Sequence, residues 1–145
     1  MFRKIIIILI IGLLIINAPI SAFALNEERV GSSSELNTVK PMWTEIAEFT
    51  NGFNISSTGK ATIESILYAF DVDEIQIDAK LQQYKNGSWI TIKSWTSNSY
   101  DIYCTIGEIW YVMSGYSYRL VSTGMVYENS KLVEQTTYTS ETYRY

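Results

Sequence analysis

The stretch Glu74-Ile75-Gln76-Ile77-Asp78-Ala79-Lys80-Leu81-Gln82-Gln83-Tyr84-Lys85-Asn86-Gly87-Ser88-Trp89-Ile90-Thr91-Ile92-Lys93-Ser94-Trp95 decides the fold. Ile75, Ile77, Ala79 and Leu81 alternate with Gln76, Asp78, Lys80 and Gln82, a period of two with one wet face. Asn86-Gly87 follows, the pair suited to a type I′ reversal because both central residues must take positive φ. A two-residue closure predicts the register by counting outward from the turn. Lys85 then faces Ser88, Tyr84 faces Trp89, Gln82 faces Thr91, Leu81 faces Ile92, and Asp78 faces Trp95. In that register Leu81, Ile90 and Ile92 share the core side. Tyr84, Trp89 and Trp95 stand together on the opposite side, beside Lys80, Thr91 and Lys93.

Working outward, residues 60–70 carry apolar side chains on both faces, which predicts a strand inside the sheet. Residues 44–55 read as a first strand interrupted at Asn51-Gly52, with a helix over residues 41–50 as the competing reading, since Trp43, Ile46, Ala47 and Phe49 could form a stripe. Further strands are expected at residues 100–106, 109–112, 116–127 and 132–139, separated by Gly107, Ser114-Gly115 and Glu128-Asn129-Ser130. About seven strands without a convincing helix predict an all-β chain, an antiparallel, immunoglobulin-like β-sandwich over residues 42–145. A small β-barrel is the alternative.

Met1-Phe2-Arg3-Lys4, the apolar run of residues 5–16 and Ala22-Phe23-Ala24 before Leu25 are the three parts of a signal peptide in order. The apolar run is too short to span a bilayer, which takes roughly 20 residues. Residues 1–24 are therefore expected to be cleaved, giving a secreted, extracellular product without a stable membrane anchor. Residues 25–41, with Glu27-Glu28-Arg29, Gly31-Ser32-Ser33-Ser34 and Pro41, read as a flexible arm.

The 145 residues include 15 Asp+Glu, 11 Lys+Arg, no His and one Cys. Removing residues 1–24 takes away Arg3 and Lys4 and no acidic residue, leaving nine basic against 15 acidic side chains, a net of −6. That sign argues against nucleic acid as a partner. Without His, a His general base and the usual zinc ligand sets are excluded, and a single Cys excludes an internal disulfide. Cys104 alternates with Ile102 and Ile106 and reads as a small buried hydrophobe, with an intermolecular disulfide as the sharper alternative.

Asp71-Val72-Asp73-Glu74, with Asp78 near, is the densest acidic cluster, but Gln76 and Gln82 stand where a calcium loop needs Gly and Glu. It reads as a solvated turn. No nucleophile elbow or phosphate-cradling loop occurs, and Ser94 and Lys93, as strand neighbours, point to opposite faces. No catalytic residue, metal or cofactor is expected.

At Val112-Met113-Ser114-Gly115-Tyr116-Ser117-Tyr118-Arg119-Leu120-Val121 the chain resembles the approach to strand F in immunoglobulin-like and fibronectin-like sandwiches, with Tyr118 as the corner tyrosine. The leader, Ser57-Thr58-Gly59-Lys60-Ala61-Thr62, the run from Leu81 to Trp95 and residues 114–123 together resemble a family of small exported proteins of Gram-positive bacteria classed as a domain of unknown function. The resemblance implies an extracellular sandwich and carries no active site.

The aromatic surplus needs a physical cause: 18 of the 121 residues past the leader are Trp, Tyr or Phe. Outward rings in a row can stack on sugar faces or anchor a protein. Cross-strand pairing that merely stabilises the sheet is the competing explanation. The expectation is a non-catalytic binding module that contacts an extracellular glycan or protein through Tyr84, Trp89 and Trp95. The alternatives are a secreted antibacterial protein and a matrix protein self-associating through exposed strand edges; oligomeric state is left open.

Overall fold

The computed structural model describes residues 37–39 and 43–145, so the predicted signal peptide and most of the predicted arm lie outside the described residues. Nine strands are described: β1 (Asn37–Val39), β2 (Ile46–Ile55), β3 (Lys60–Ala69), β4 (Glu74–Lys85), β5 (Ser88–Ser99), β6 (Tyr103–Tyr111), β7 (Ser117–Glu128), β8 (Lys131–Thr139) and β9 (Tyr143–Arg144). They form two antiparallel sheets, β1-β2-β3-β6 and β5-β4-β7-β8, with β9 added to β7. The sheets face each other as a sandwich and do not close into a barrel. β2-β3-β6 facing β4-β7-β8 repeats the A-B-E and C-F-G halves of an immunoglobulin-like frame, with β5 added beside β4.

The Asn86-Gly87 reversal has φ of 52° and 80°, as a type I′ turn requires. Tyr84 faces Trp89 and Lys85 faces Ser88, as expected. Beyond Thr91 the register slips. Ile92 is the extra residue of a bulge, so Leu81 faces Lys93 rather than Ile92, and Asp78 faces Thr96 rather than Trp95. One inserted residue reverses the direction of every later side chain on β5. Trp95 thereby sits opposite Ala79 on the core side, where it is half-buried and packed against the core.

Other boundaries moved for similar reasons. Over the described residues 43–50 of the helix considered for residues 41–50 no helix forms, and β2 runs unbroken through Asn51-Gly52 because both residues pair with β3, at Ser65 and Glu64. The two strands expected at residues 100–106 and 109–112 are one, β6, with Gly107 extended opposite Glu64. Within the predicted arm, Asn37–Val39 pairs with β2. β3 is interior, as its two apolar faces suggested.

The inward faces of β2, β3, β4 and β7 make the core, with Phe49, Phe53, Ile63, Leu67, Ile75, Ile77, Leu81, Leu120 and Val126 buried. Cys104 is buried too, its thiol donating to the Ser97 carbonyl at 3.3 Å. Tyr118, fully buried at the start of β7, donates its hydroxyl to the Met113 carbonyl (2.7 Å) and accepts from Gln83 Nε2 (2.9 Å). Its hydroxyl thus reaches back to the backbone five residues upstream, the hydrogen bond a corner tyrosine makes. A polar trio crosses the core: Ser65 Oγ donates to Asn51 Oδ1 (2.8 Å) and lies 2.9 Å from Ser122 Oγ on the opposite sheet.

Glu134 on β8 ties one sheet to the other. Its carboxylate accepts from the backbone N–H groups of Thr44, Glu45 and Ile46 at 2.9, 2.9 and 2.8 Å, at the entry to β2. Burial pushes its pKa up, but the three donors favour the charged form and hold it below the ordinary value. A depressed folded pKa gives stability that is present above the unfolded value and is lost as pH falls through the folded one. Glu134→Gln replaces an acceptor by an NH₂ that faces donors, and is expected to cost about 1–2 kcal/mol at neutral pH. Denaturant melts from neutral to acid pH check this: the variant should lose less stability on acidification than the parent.

Candidate functional site

The pairing lists the outward face of the β5-β4-β7 sheet row by row. From the hairpin downward the rows are Trp89, Tyr84, Ser117 and Arg144; then Thr91, Gln82 and Arg119; then Ser94, Lys80, Val121 and Thr139; then Thr96, Asp78, Thr123 and Thr137; and then Asn98, Gln76, Met125 and Gln135. Rows two residues apart along a strand stand roughly 7 Å apart.

The first two rows form a built constellation. Tyr84 and Trp89 have ring centroids 5.2 Å apart at 58°, and Tyr84 is 45% exposed. The Arg119 guanidinium carbon lies 4.3 Å from the Trp89 ring centroid, a cation–π contact. Its Nε donates to Gln82 Oε1 at 2.8 Å, and Gln82 Nε2 in turn reaches Thr91 Oγ1 at 3.5 Å. The stack and the Nε bond together fix the plane of the guanidinium. Among the described residues Arg119 forms no ion pair, so its terminal NH₂ groups keep their donors for something else.

Charge along this face is sorted. Of the charged residues that the pairing places here, Arg119, Arg144 and Lys80 lie toward the hairpin, and Asp78 and Glu74 toward the other end. Those carboxylates are engaged locally: Asp78 Oδ1 accepts from Thr96 (2.7 Å) and Gln76 (3.1 Å), and Glu74 Oε1 from Asn98 Nδ2 (2.7 Å). The rest of the acidic cluster is a turn: Asp71 has φ of 58°, and Asp73 Oδ2 accepts from Asn129 N–H at 2.6 Å. Among the described residues no group of three potential ligands could hold a metal ion.

The three predicted contact residues are therefore split. Tyr84 and Trp89 share the outward face, but Trp95 is on the other side of the sheet. There its ring meets Trp110 of β6 edge-on at 6.5 Å and 77°, with Lys93 Nζ 4.9 Å from the Trp110 centroid and 5.8 Å from that of Trp95. Lys93 also left the predicted row through the bulge, whereas Lys80 and Thr91 stayed in it. Sequence reading missed Arg119, although its alternation with Tyr118 and Leu120 already directs it outward.

Among the described residues no helix is long and apolar enough to cross a membrane. Compared with protein-family models, with curated proteins and with solved structures, the chain finds no match in any of the three.

Proposed function

We propose that this chain is an exported, non-catalytic binding module, and that its ligand is an acidic glycan, one whose sugars bear carboxylates. The observation that carries this reading is the Trp89-stacked, Gln82-oriented guanidinium of Arg119 beside the exposed ring of Tyr84. A planar fork of donors matches a sugar carboxylate in two-point fashion, while an adjoining ring receives the apolar face of the sugar. Lys80 and Arg144 add positive charge at this end of a chain whose net charge is negative. The amides and hydroxyls of Gln82, Thr91 and Ser117 supply partners for sugar hydroxyls. The export half of the proposal rests on residues 1–24.

Titrating the purified protein with polygalacturonate and with neutral amylose, read by tryptophan fluorescence, tests this. Saturable binding of the acidic polymer is expected, weakened at least about tenfold by Trp89→Ala and by Arg119→Gln, and reduced by added salt. Equal binding of both polymers, or of neither, would overturn the reading.

A further inference from the structure

We infer that the open edge of β6 pairs with the same edge of a second copy of this chain, across a two-fold axis at Gly107. Among the described residues strand order leaves four edges: β1 and β6 on one sheet, β5 and β8 on the other. β1 is three residues long, and β5 and β8 each carry a register shift. β6 alone is long and unbroken, in continuous register with β3 from Tyr103 to Tyr111. It lacks the devices that usually blunt an edge: it has no Pro, no Lys and no bulge, and its single charge is Glu108.

The direction of its backbone groups follows from the ladder. Ala69 N–H donates to Ile102 O at 3.1 Å past one end, and Val112 N–H to Gly59 O at 2.9 Å past the other. With unbroken register between them, the even-numbered residues of β6 direct N–H and C=O at β3, and the odd-numbered residues direct theirs at the open edge. Those odd residues are Tyr103, Thr105, Gly107, Ile109 and Tyr111, and the order of their side chains is nearly a palindrome: aromatic, β-branched, glycine, β-branched, aromatic.

Antiparallel pairing about Gly107 sets Tyr103 against Tyr111 of the second copy, and Thr105 against its Ile109. Every outward N–H and C=O then finds a partner, about ten bonds in all, the number a typical stable interface carries. The pairing also covers part of the surface of Tyr103, Ile109 and Tyr111, which are 47%, 50% and 70% exposed. Glu108 falls directly opposite Ile106 of the second copy, so like charges are not paired head-on, and the two Glu108 side chains stand diagonally across the axis with Cβ atoms roughly 7–8 Å apart. A patch serving itself in this way is the isologous pattern of two-fold dimers. The platform of Arg119 and Trp89 is on the other sheet and stays open.

Sedimentation velocity of the purified protein over a range of concentrations tests the inference. The parent is expected to sediment at about twice the chain mass at tens of micromolar, which requires a dissociation constant of about a few micromolar or tighter. Gly107→Pro removes an N–H that points away from β3, and a Cβ at this position would meet nothing within 4 Å. Ile109→Lys places a charge on the exposed face of the edge. Each is expected to raise the dissociation constant at least about tenfold while far-UV circular dichroism stays that of the parent. Should Gly107→Pro fail to fold, Ile109→Lys still decides, since it leaves the ladder intact. A parent that stays monomeric at about 100 μM, or a folded Ile109→Lys that remains dimeric, would overturn the inference.

Discussion

Leu67→Ala is expected to cost about 3–4 kcal/mol, and Gly124→Ala to cost about 1–3 kcal/mol, but the two together are expected to cost less than their sum. Leu67 is fully buried on the inward face of β3. Gly124 is on β7 of the opposite sheet, and a Cβ there would come within 3.0 and 3.2 Å of the Leu67 methyls and 3.3 Å of Phe49 Cε2. The missing side chain at 124 is thus the space that Leu67 fills where the sheets meet. Truncating Leu67 leaves a cavity, and adding a methyl at 124 crowds a filled one. In the Leu67→Ala background the new methyl enters the vacated volume, so a coupling of about 1 kcal/mol or more should appear in a urea double-mutant cycle. Strict additivity would show that these side chains do not meet across the sandwich.

Tyr118→Phe carries the second large effect, about 2–3 kcal/mol, although it removes only one oxygen. That oxygen serves two buried partners at once, the Met113 carbonyl and Gln83 Nε2. Gln83 itself is buried, so its amide has no water to turn to once the hydroxyl is gone. Tyr103→Phe on the exposed face of β6 is the control and should change unfolding free energy by less than about 0.5 kcal/mol. Comparable effects at the two positions would contradict the corner arrangement.

How much of this was legible in the chain divides along local and non-local lines. The alternation from Ile75 to Leu81 and the Asn86-Gly87 turn act over neighbouring residues, so the hairpin, its first pairs and the contact of Tyr84 with Trp89 could be read directly. The bulge at Ile92 could not. It exchanges the Ile92–Leu81 pair for the packing of Trp95 on Trp110, a contact between different sheets. Gly107 has the composition of a turn, yet its neighbours Ile106 and Glu108 find partners in Ser65 and Ile63, and tertiary pairing overrides the local preference. Arg119 shows the middle case. Its outward direction was readable from Tyr118 and Leu120, but its place beside Gln82 required knowing that β7 lies next to β4.

The same bulge governs what the surface offers. It withdraws one indole into the sandwich and leaves the other under a guanidinium at the hairpin end, turning an expected aromatic row into a compact site of mixed charge and ring character. Nitrogen-resolved NMR of the labelled protein, titrated with a short oligogalacturonate, tests this most directly. The indole N–H of Trp89, the Nε–H of Arg119 and the side-chain amide of Gln82 are predicted to shift together while the indole signals of Trp95 and Trp110 stay still. Shifts centred on Trp95 and Trp110, or none at Trp89 and Arg119 at saturating oligosaccharide, would contradict the account.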